Sequence, residues 1–552
     1  MTDPKAIDAC RHRLGALEND LIDELGGGHI DRRSFLRHGT LLGLSLPVLG
    51  RLAGAFGAVE TLPVPARAAQ PGGTIRVGMT VPAAAIDPVT IADDGGLQML
   101  IQTGEFLCLL QPDFTLKPVL AESWSHSEDI ATWTFKLRRG VKFHDGTEMK
   151  AEDVIASIDR LCDPKNASNA LSAFKGILSP GNSKKIDDYT VAFHLDGPYG
   201  AFPYIVSSDN YNCVIIPADY KGDYEHNWVG TGPFKLEKYT PKVGASFVRY
   251  DGYWGPKAVP ARTQFTFYTD LPPQILALQG GQVDLIAQLP VSGGQAILND
   301  PHFTILRCKA TGHEQVHMRN DTGPFTDKRV RRALALTLSR KKLVSGLFHN
   351  FAAVGNDSPF ATAFPMTDPS VPQREQDIPQ ARQLMAAAGA AQGFKVTLTT
   401  ERFIEIPDYA VLIQNFAKAI GIAVTLNIES QDAYYGKAVF GQSDWLDSVF
   451  GITDYGHRGV PNVVLRAPLM SDGSWNAAHF RNATYDKLVT DFGRTADLGG
   501  QRSLAKQIQE LLLDETPVLF AYFYDYLVPR KKGLTGIPAI ANRLLLDQAH
   551  FA

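Results

Sequence analysis

Apolar and polar residues alternate with a period of two in some stretches of this chain and with a helical period in others, and clusters of Gly and Pro separate them. GGTIRVGM (72–79) and ATWTFKLRRGVKF (131–143) alternate as strands, the second running into a turn at His144-Asp145-Gly146. AEDVIASIDRL (151–161) sets Val154, Ile155, Ile158 and Leu161 on one helical stripe, with Glu152 and Asp153 in the first turn, where the helix dipole favours acids. GPFKLEKY (232–239) and ASFVRY (245–250) read as a hairpin, TQFTFYT (263–269) as a further strand, and Pro273 to Gly280 as a helix. From Asp327 the run DKRVRRALALTLSRKKLVSGLF reads as one helix, with Val330, Leu334 and Leu338 along one side and its basic residues on a solvated outer face. FKVTLTT (394–400), YAVLIQNFAKAIG (409–421), IAVTLNIES (422–430) and the closing QRSLAKQIQELLLDETPVLFAYFY continue the alternation. The order predicts a mixed α/β protein.

At 552 residues the chain is too long for one ordinary core and is expected to form two or three lobes. Its 44% hydrophobic and 20% charged residues are those of a globular protein, and a net charge of -4 argues against nucleic acid as a partner. The apolar run from Leu41 to Val59 is broken by Pro47 and Arg51 and diluted by four glycines, so it is a poor membrane anchor. It is followed by Ala66-Arg67-Ala68, which has the form of a signal cleavage site. Ahead of it stand Arg32, Arg33, Ser34, Phe35 and Leu36, which resemble a twin-arginine export signal. The expectation is a removed signal over 1–68 and a soluble periplasmic remainder. Cys108, Cys162, Cys213 and Cys308 form no CxxC pair and read as buried thiols or at most one or two disulfides.

The later motifs, taken in order, resemble the extracytoplasmic solute-binding proteins of ABC importers, of the dipeptide, oligopeptide and nickel type. They are Ile86-Asp87-Pro88, LKPVLAESWSHSED (116–129), TWTFKLRRGVKFHDGTEMKAEDVIASIDR (132–160), VGTGPFKLEKY (229–239), RYDGYWG (249–255), ALQGGQVDL (277–285), GPFTDKRVRRALALTLSRKKLV (323–344) and IQELLLDETPV (508–518). The resemblance implies a two-lobed α/β fold with a ligand cleft between the lobes and a small additional domain. It places lobe I in 69–110, 221–308 and 511–552, the small domain in 111–220 and lobe II in 309–510. It implies a receptor without catalytic residues, metal or cofactor, whose partners are a small peptide-like solute, an inner-membrane permease with its ATPase, and the twin-arginine export machinery.

Candidate chemistry narrows to two stretches. HEQVH (313–317) spells the zinc-protease motif, which requires a helix to bring both histidines to one metal. Gly312 before it and NDTGP after it favour a strand, which leaves a periplasmic zinc hydrolase as the reading from another class. DSVFGITDYGHRGVPN (447–462) offers Asp454, and the resemblance implies that this acid holds a ligand's ammonium, with Trp445 and Tyr455 walling the cleft. The same acid can instead cap backbone amides in a loop. Relatives often continue with a second acid and a Pro, whereas here His457, Arg458 and Gly459 precede Pro461. Arg458 therefore offers a fork to a carboxylate or phosphate, and His457 a soft metal or pH-sensitive contact. Other solutes consistent with the family are a nickel chelate, an opine, a sugar or an amino-acid derivative.

Overall fold

The computed structural model describes residues 16–26, Phe35 and 72–552, apart from Ala84, Ala92 and Ala496. Arg32, Arg33, Leu36 and the expected cleavage site lie outside the described residues, while Phe35 is buried. A 12-stranded sheet forms the backbone of the molecule. Its main path runs through Ile422–Glu429, Phe394–Glu401, Phe450–Tyr455, Phe303–Met318, Tyr522–Lys531, Leu285–Ile286, Thr74–Thr80, Arg262–Tyr268, Gly244–Arg249 and Phe234–Thr240. Two crossovers build it. Helix Leu271–Gln279 links the parallel strands Arg262–Tyr268 and Leu285–Ile286, which flank Thr74–Thr80. Helix Ile406–Lys418 links Phe394–Glu401 to Ile422–Glu429, which pair in parallel.

The two halves of the sheet meet at a pair of long antiparallel strands, Phe303–Met318 and Tyr522–Lys531. Their register shifts between Cys308 and Gly312, where one strand leaves one half and enters the other. A separate antiparallel sheet, Ala121–His126, Thr132–Leu137, Thr190–His194 and Ser183–Asp187, packs with helix Ala151–Cys162. Trp133, Phe135, Phe193 and Phe202 form its aromatic core.

The sequence expectations need two corrections. The strand expected over 131–143 stops at Leu137, because Gly140 takes φ +71 and turns the chain. The alternation continues past the turn because Val141 and Phe143 re-enter the core beyond it. The run from Asp327 forms two helices, Lys328–Thr337 and Arg340–Phe348, separated at Leu338, which is extended at ψ 122. The freed carbonyls find other donors: Asp377 N reaches Leu336 O at 2.9 Å and Gln376 Nε2 reaches Thr337 O at 2.7 Å. Nor do all its basic residues face solvent. Arg331 is buried against Phe325 O and Glu515 O, and Arg340 is paired with Asp357. Cys108, Cys162, Cys213 and Cys308 are free and buried.

Candidate functional site

HEQVH lies within the strand Phe303–Met318. Residues four apart in a strand share a face but stand about 13 Å apart, too far for one metal. His313 packs against the rings of Tyr455 and Phe520 (5.6 and 4.6 Å), and Nε2 of His317 lies 3.2 Å from Ser448 O. Burial lowers both histidines to about 4, so both are neutral.

The same strand pairs with Phe450–Tyr455 so that His313 opposes Tyr455 and Glu314 opposes Asp454. Alternation therefore sends Glu314 and Asp454 to one face and His313 and Tyr455 to the other. Asp454 is a strand residue, not a loop acid. Its Oδ1 accepts a hydrogen bond from the Tyr524 hydroxyl at 2.5 Å. Its backbone N–H donates to Oε1 of Glu401 at 3.3 Å, an oxygen that also accepts from the Tyr435 hydroxyl at 2.7 Å. Oε2 of Glu401 accepts from Gln431 at 2.7 Å. Glu405, at the start of helix Ile406–Lys418, accepts from Val291 N at 2.6 Å and Ser292 N at 3.3 Å, which ties the two halves of the sheet together near the crossing strands.

Among the described residues, none of Glu314, Glu401, Glu405 and Asp454 forms an ion pair. Burial, then the neighbouring carboxylates, holds Asp454 well above the usual carboxylate range, despite the hydrogen bond from Tyr524. Burial and the nearby acids likewise push Glu314 well up, and burial raises Glu405 to about 7. Such a cluster is held neutral by protonation or ionises when a cation enters it, because buried carboxylates are stable only when paired or protonated.

The other expected site residues fall into two further groups. Trp445 and Tyr455 join Tyr434, Tyr435 and Trp475 in an aromatic cluster that touches Glu401 through the Tyr435 hydroxyl. His457 and Arg458 point elsewhere. Nδ1 of His457 accepts from Thr311 N at 3.2 Å, its ring lies 5.3 Å from Phe114, and burial lowers it to about 3. Nη1 of Arg458 donates to Asp209 O at 3.0 Å, and its guanidinium lies 5.7 Å from the Tyr211 ring. Arg543 approaches the same ring at 6.0 Å and donates to Ser208 O. Its Nε has no partner among the described residues, and burial lowers its pKa to about 10. Asp209, pushed by burial to about 6, accepts from Gly459 N at 2.5 Å. A cavity of about 50 Å³ lined by Asp94, Gln98, Tyr526, Asn542 and Arg543 lies here, and Arg543 also borders a larger one of about 730 Å³.

Sequence reasoning missed Glu314, Glu401, Tyr524 and Arg543. A weak signal existed: an acid inside a buried strand, and tyrosines at alternate positions 522, 524 and 526.

Residues 115–455 match the bacterial extracellular solute-binding proteins, family 5 Middle. The chain belongs to this family. This family 5 protein is 26% identical over 453 residues to the glutathione-binding protein GsiB of Shigella dysenteriae, covering 77% of this chain and 84% of that protein. It is 26% identical over 455 residues to heme-binding protein A of Haemophilus influenzae, covering 77% and 82%. The fold matches Helicobacter pylori DppA in complex with the peptide STSA, at a TM-score of 0.75 and 21% identity over 87% of this chain and 98% of that one. The Escherichia coli murein tripeptide binding protein MppA matches with the same four values, a TM-score of 0.75, 21%, 87% and 98%. The family 5 protein is therefore a solute-binding protein of an ABC transporter and not an enzyme, with the two-lobed periplasmic binding protein fold and its extra small antiparallel domain. The zinc-hydrolase reading of HEQVH falls with that assignment and with the strand. Among the described residues, no helix is long and apolar enough to cross a membrane.

Proposed function

We propose that the family 5 protein captures a peptide-like amine, with the ammonium held by Asp454, and delivers it to an inner-membrane permease and its ATPase. The observation that carries this reading is the half-buried Asp454 carboxylate, which forms no ion pair among the described residues. Within the family, glutathione-binding and peptide-bound relatives are consistent with such a ligand. A solute with a carboxylate as well as an amine also fits the other end of the region, where Arg458 and Arg543 lie beside Tyr211. Trp445 and Tyr455 act in this reading as part of the aromatic wall that holds Glu401. A ligand that presents mainly an anion to Arg458 is the second reading, favoured by the Nε of Arg543, which has no partner among the described residues.

In the proposed mechanism the crossing strands hinge at 309–311, and the lobes close on the solute because it touches both. The register shift between Cys308 and Gly312 supports a boundary there, with lobe II in 309–510, lobe I in 69–110, 221–308 and 511–552, and the small domain in 111–220. Glu405 with Val291 and Ser292, and Arg458 with Asp209, are then contacts of the closed state. A thermal-shift screen of residues 69–552 over peptides, amines, opines, sugars and metal chelates tests the ligand class. A true ligand at 100 times its Kd stabilises by about 2.7 kcal/mol. Stabilisation only by solutes without an amine would contradict the proposal.

The reading includes export through the twin-arginine route, directed by Arg32, Arg33, Phe35 and Leu36, and a periplasmic location. Replacing Arg32 and Arg33 together with Lys is expected to leave the precursor in the cytoplasm, since charge is kept but both guanidinium groups are lost. Normal export and trimming of that variant, read by fractionation and mass spectrometry, would rule the twin-arginine route out.

A further inference from the structure

Glu314 stands directly opposite Asp454 across the paired strands, so the two carboxylates share one face with Cβ atoms about 5 Å apart. Like charges so placed repel, and an apolar residue of similar volume is normally the more stable choice for a buried strand position. Yet Glu314 is only 1% exposed. Its Oε2 accepts from the Tyr522 hydroxyl, while its Oε1 has no hydrogen-bond partner among the described residues. Tyr409, whose ring lies 5.0 Å from that of Tyr522, also buries a hydroxyl without a partner among the described residues. Two polar groups without a partner among the described residues thus flank Tyr522 near the strand position opposite Asp454, and each costs about 1 to 3 kcal/mol while unsatisfied. The charged and titratable groups around Glu314 are Asp454, Glu401, Glu405, Tyr409, Tyr522 and Tyr524. Arg340, on the other side of Tyr409, is already paired with Asp357 at 2.6 Å.

We propose that Glu314 makes the amine end of the cleft a two-charge subsite, selective for solutes that carry a second cationic group near the amine held by Asp454, such as peptides beginning with lysine or ornithine. The proposal rests on the reading of Asp454 as the amine anchor and adds a second requirement to it. One ammonium answers Asp454; the other, on a short methylene stem, supplies the missing partner of Glu314 Oε1. Burial and the surrounding carboxylates favour a protonated Glu314 in the empty site. The second cation displaces that proton, so a dicationic solute releases protons on binding that a monocationic one does not.

The test titrates Lys-Ala and Lys-Ala-Ala, each beside its Nε-acetylated form, into residues 69–552 by calorimetry in two buffers of different ionisation heat. Acetylation keeps the stem and removes the charge. The wild-type protein is expected to bind the free lysyl peptides at least tenfold more tightly than the acetylated ones, with additional proton release. Glu314→Gln keeps the shape of the side chain and is expected to lose that preference and the extra proton. Equal affinity of the wild type for free and acetylated forms overturns the two-charge subsite and leaves the amine anchor standing. A folded Glu314→Gln variant that keeps the preference does the same, and it would assign the orphaned oxygen to a structural water. Failure of all four peptides to bind overturns the amine-anchor reading, and the subsite with it.

Discussion

Asp357→Ala is expected to destabilise the folded protein by about 3 to 5 kcal/mol, the usual cost of breaking a buried ion pair from one side. Asp357 is fully buried, and its Oδ2 accepts from Arg340 Nη2 and from Arg374 Nη1, both at 2.6 Å. Its Oδ1 accepts from Phe520 N at 3.2 Å. The carboxylate therefore joins the helix Arg340–Phe348, the loop carrying Arg374 and the chain entering strand Tyr522–Lys531. Truncation leaves two guanidinium groups, with side chains 2% and 9% exposed, facing each other without an anion. It also places Ala at φ +51, a region that side chains with a Cβ adopt at some cost. Asp357→Asn separates the causes, because it keeps the shape and the hydrogen bond from Phe520 but removes the charge. Most of the loss should persist in it. The midpoint of chemical unfolding reports the change, and a midpoint within error of the wild type would show that the two arginines are not held by charge.

The local elements were legible in the sequence because periodicity is local. Thr74–Thr80, Phe394–Glu401 and Ile422–Glu429 sit where alternation puts them, and the helix expected over 409–421 forms at Ile406–Lys418, about three residues earlier. The breaks at Gly140 and Leu338 were not legible. In each case apolar residues continue in phase across the break, and the donors that satisfy the free carbonyls at Leu338 come from 376 and 377, distant in sequence. Sheet order was hidden for a related reason, since the pairing of Phe303–Met318 with Tyr522–Lys531 joins residues about two hundred positions apart and leaves no local trace. Resemblance to a family supplied the two-lobed architecture that periodicity could not. The candidate site divides in the same way. Asp454 came from the resemblance, whereas Glu314 became visible only when the strand pairing set it opposite Asp454. In the sequence Glu314 reads as the middle of a zinc motif, which draws attention to the two histidines that the fold buries among aromatic rings and backbone carbonyls.

Asp454→Ala is expected to weaken binding of an amine ligand by roughly 30-fold or more. If the ammonium is buried against Asp454, truncation leaves a desolvated charge without a partner, which typically costs about 2 to 5 kcal/mol. Each 1.4 kcal/mol is about a factor of ten in Kd. The Tyr524 hydroxyl, which donates to Asp454 at 2.5 Å, loses its acceptor in the same variant, so a melting temperature must accompany each affinity. Arg458→Ala distinguishes the second reading, because it should weaken binding most when the ligand presents an anion to Arg458, whose guanidinium lies beside Asp209 O and the Tyr211 ring. Asp454→Asn is the more direct probe, since it preserves the volume and can still meet Tyr524 while removing the charge. The deciding measurement is calorimetry of Asp454→Asn with an amine ligand from the thermal-shift screen. The account predicts a loss nearly as large as that of Asp454→Ala in a protein of normal melting temperature. Unchanged affinity in that folded variant would contradict it and remove Asp454 from the site.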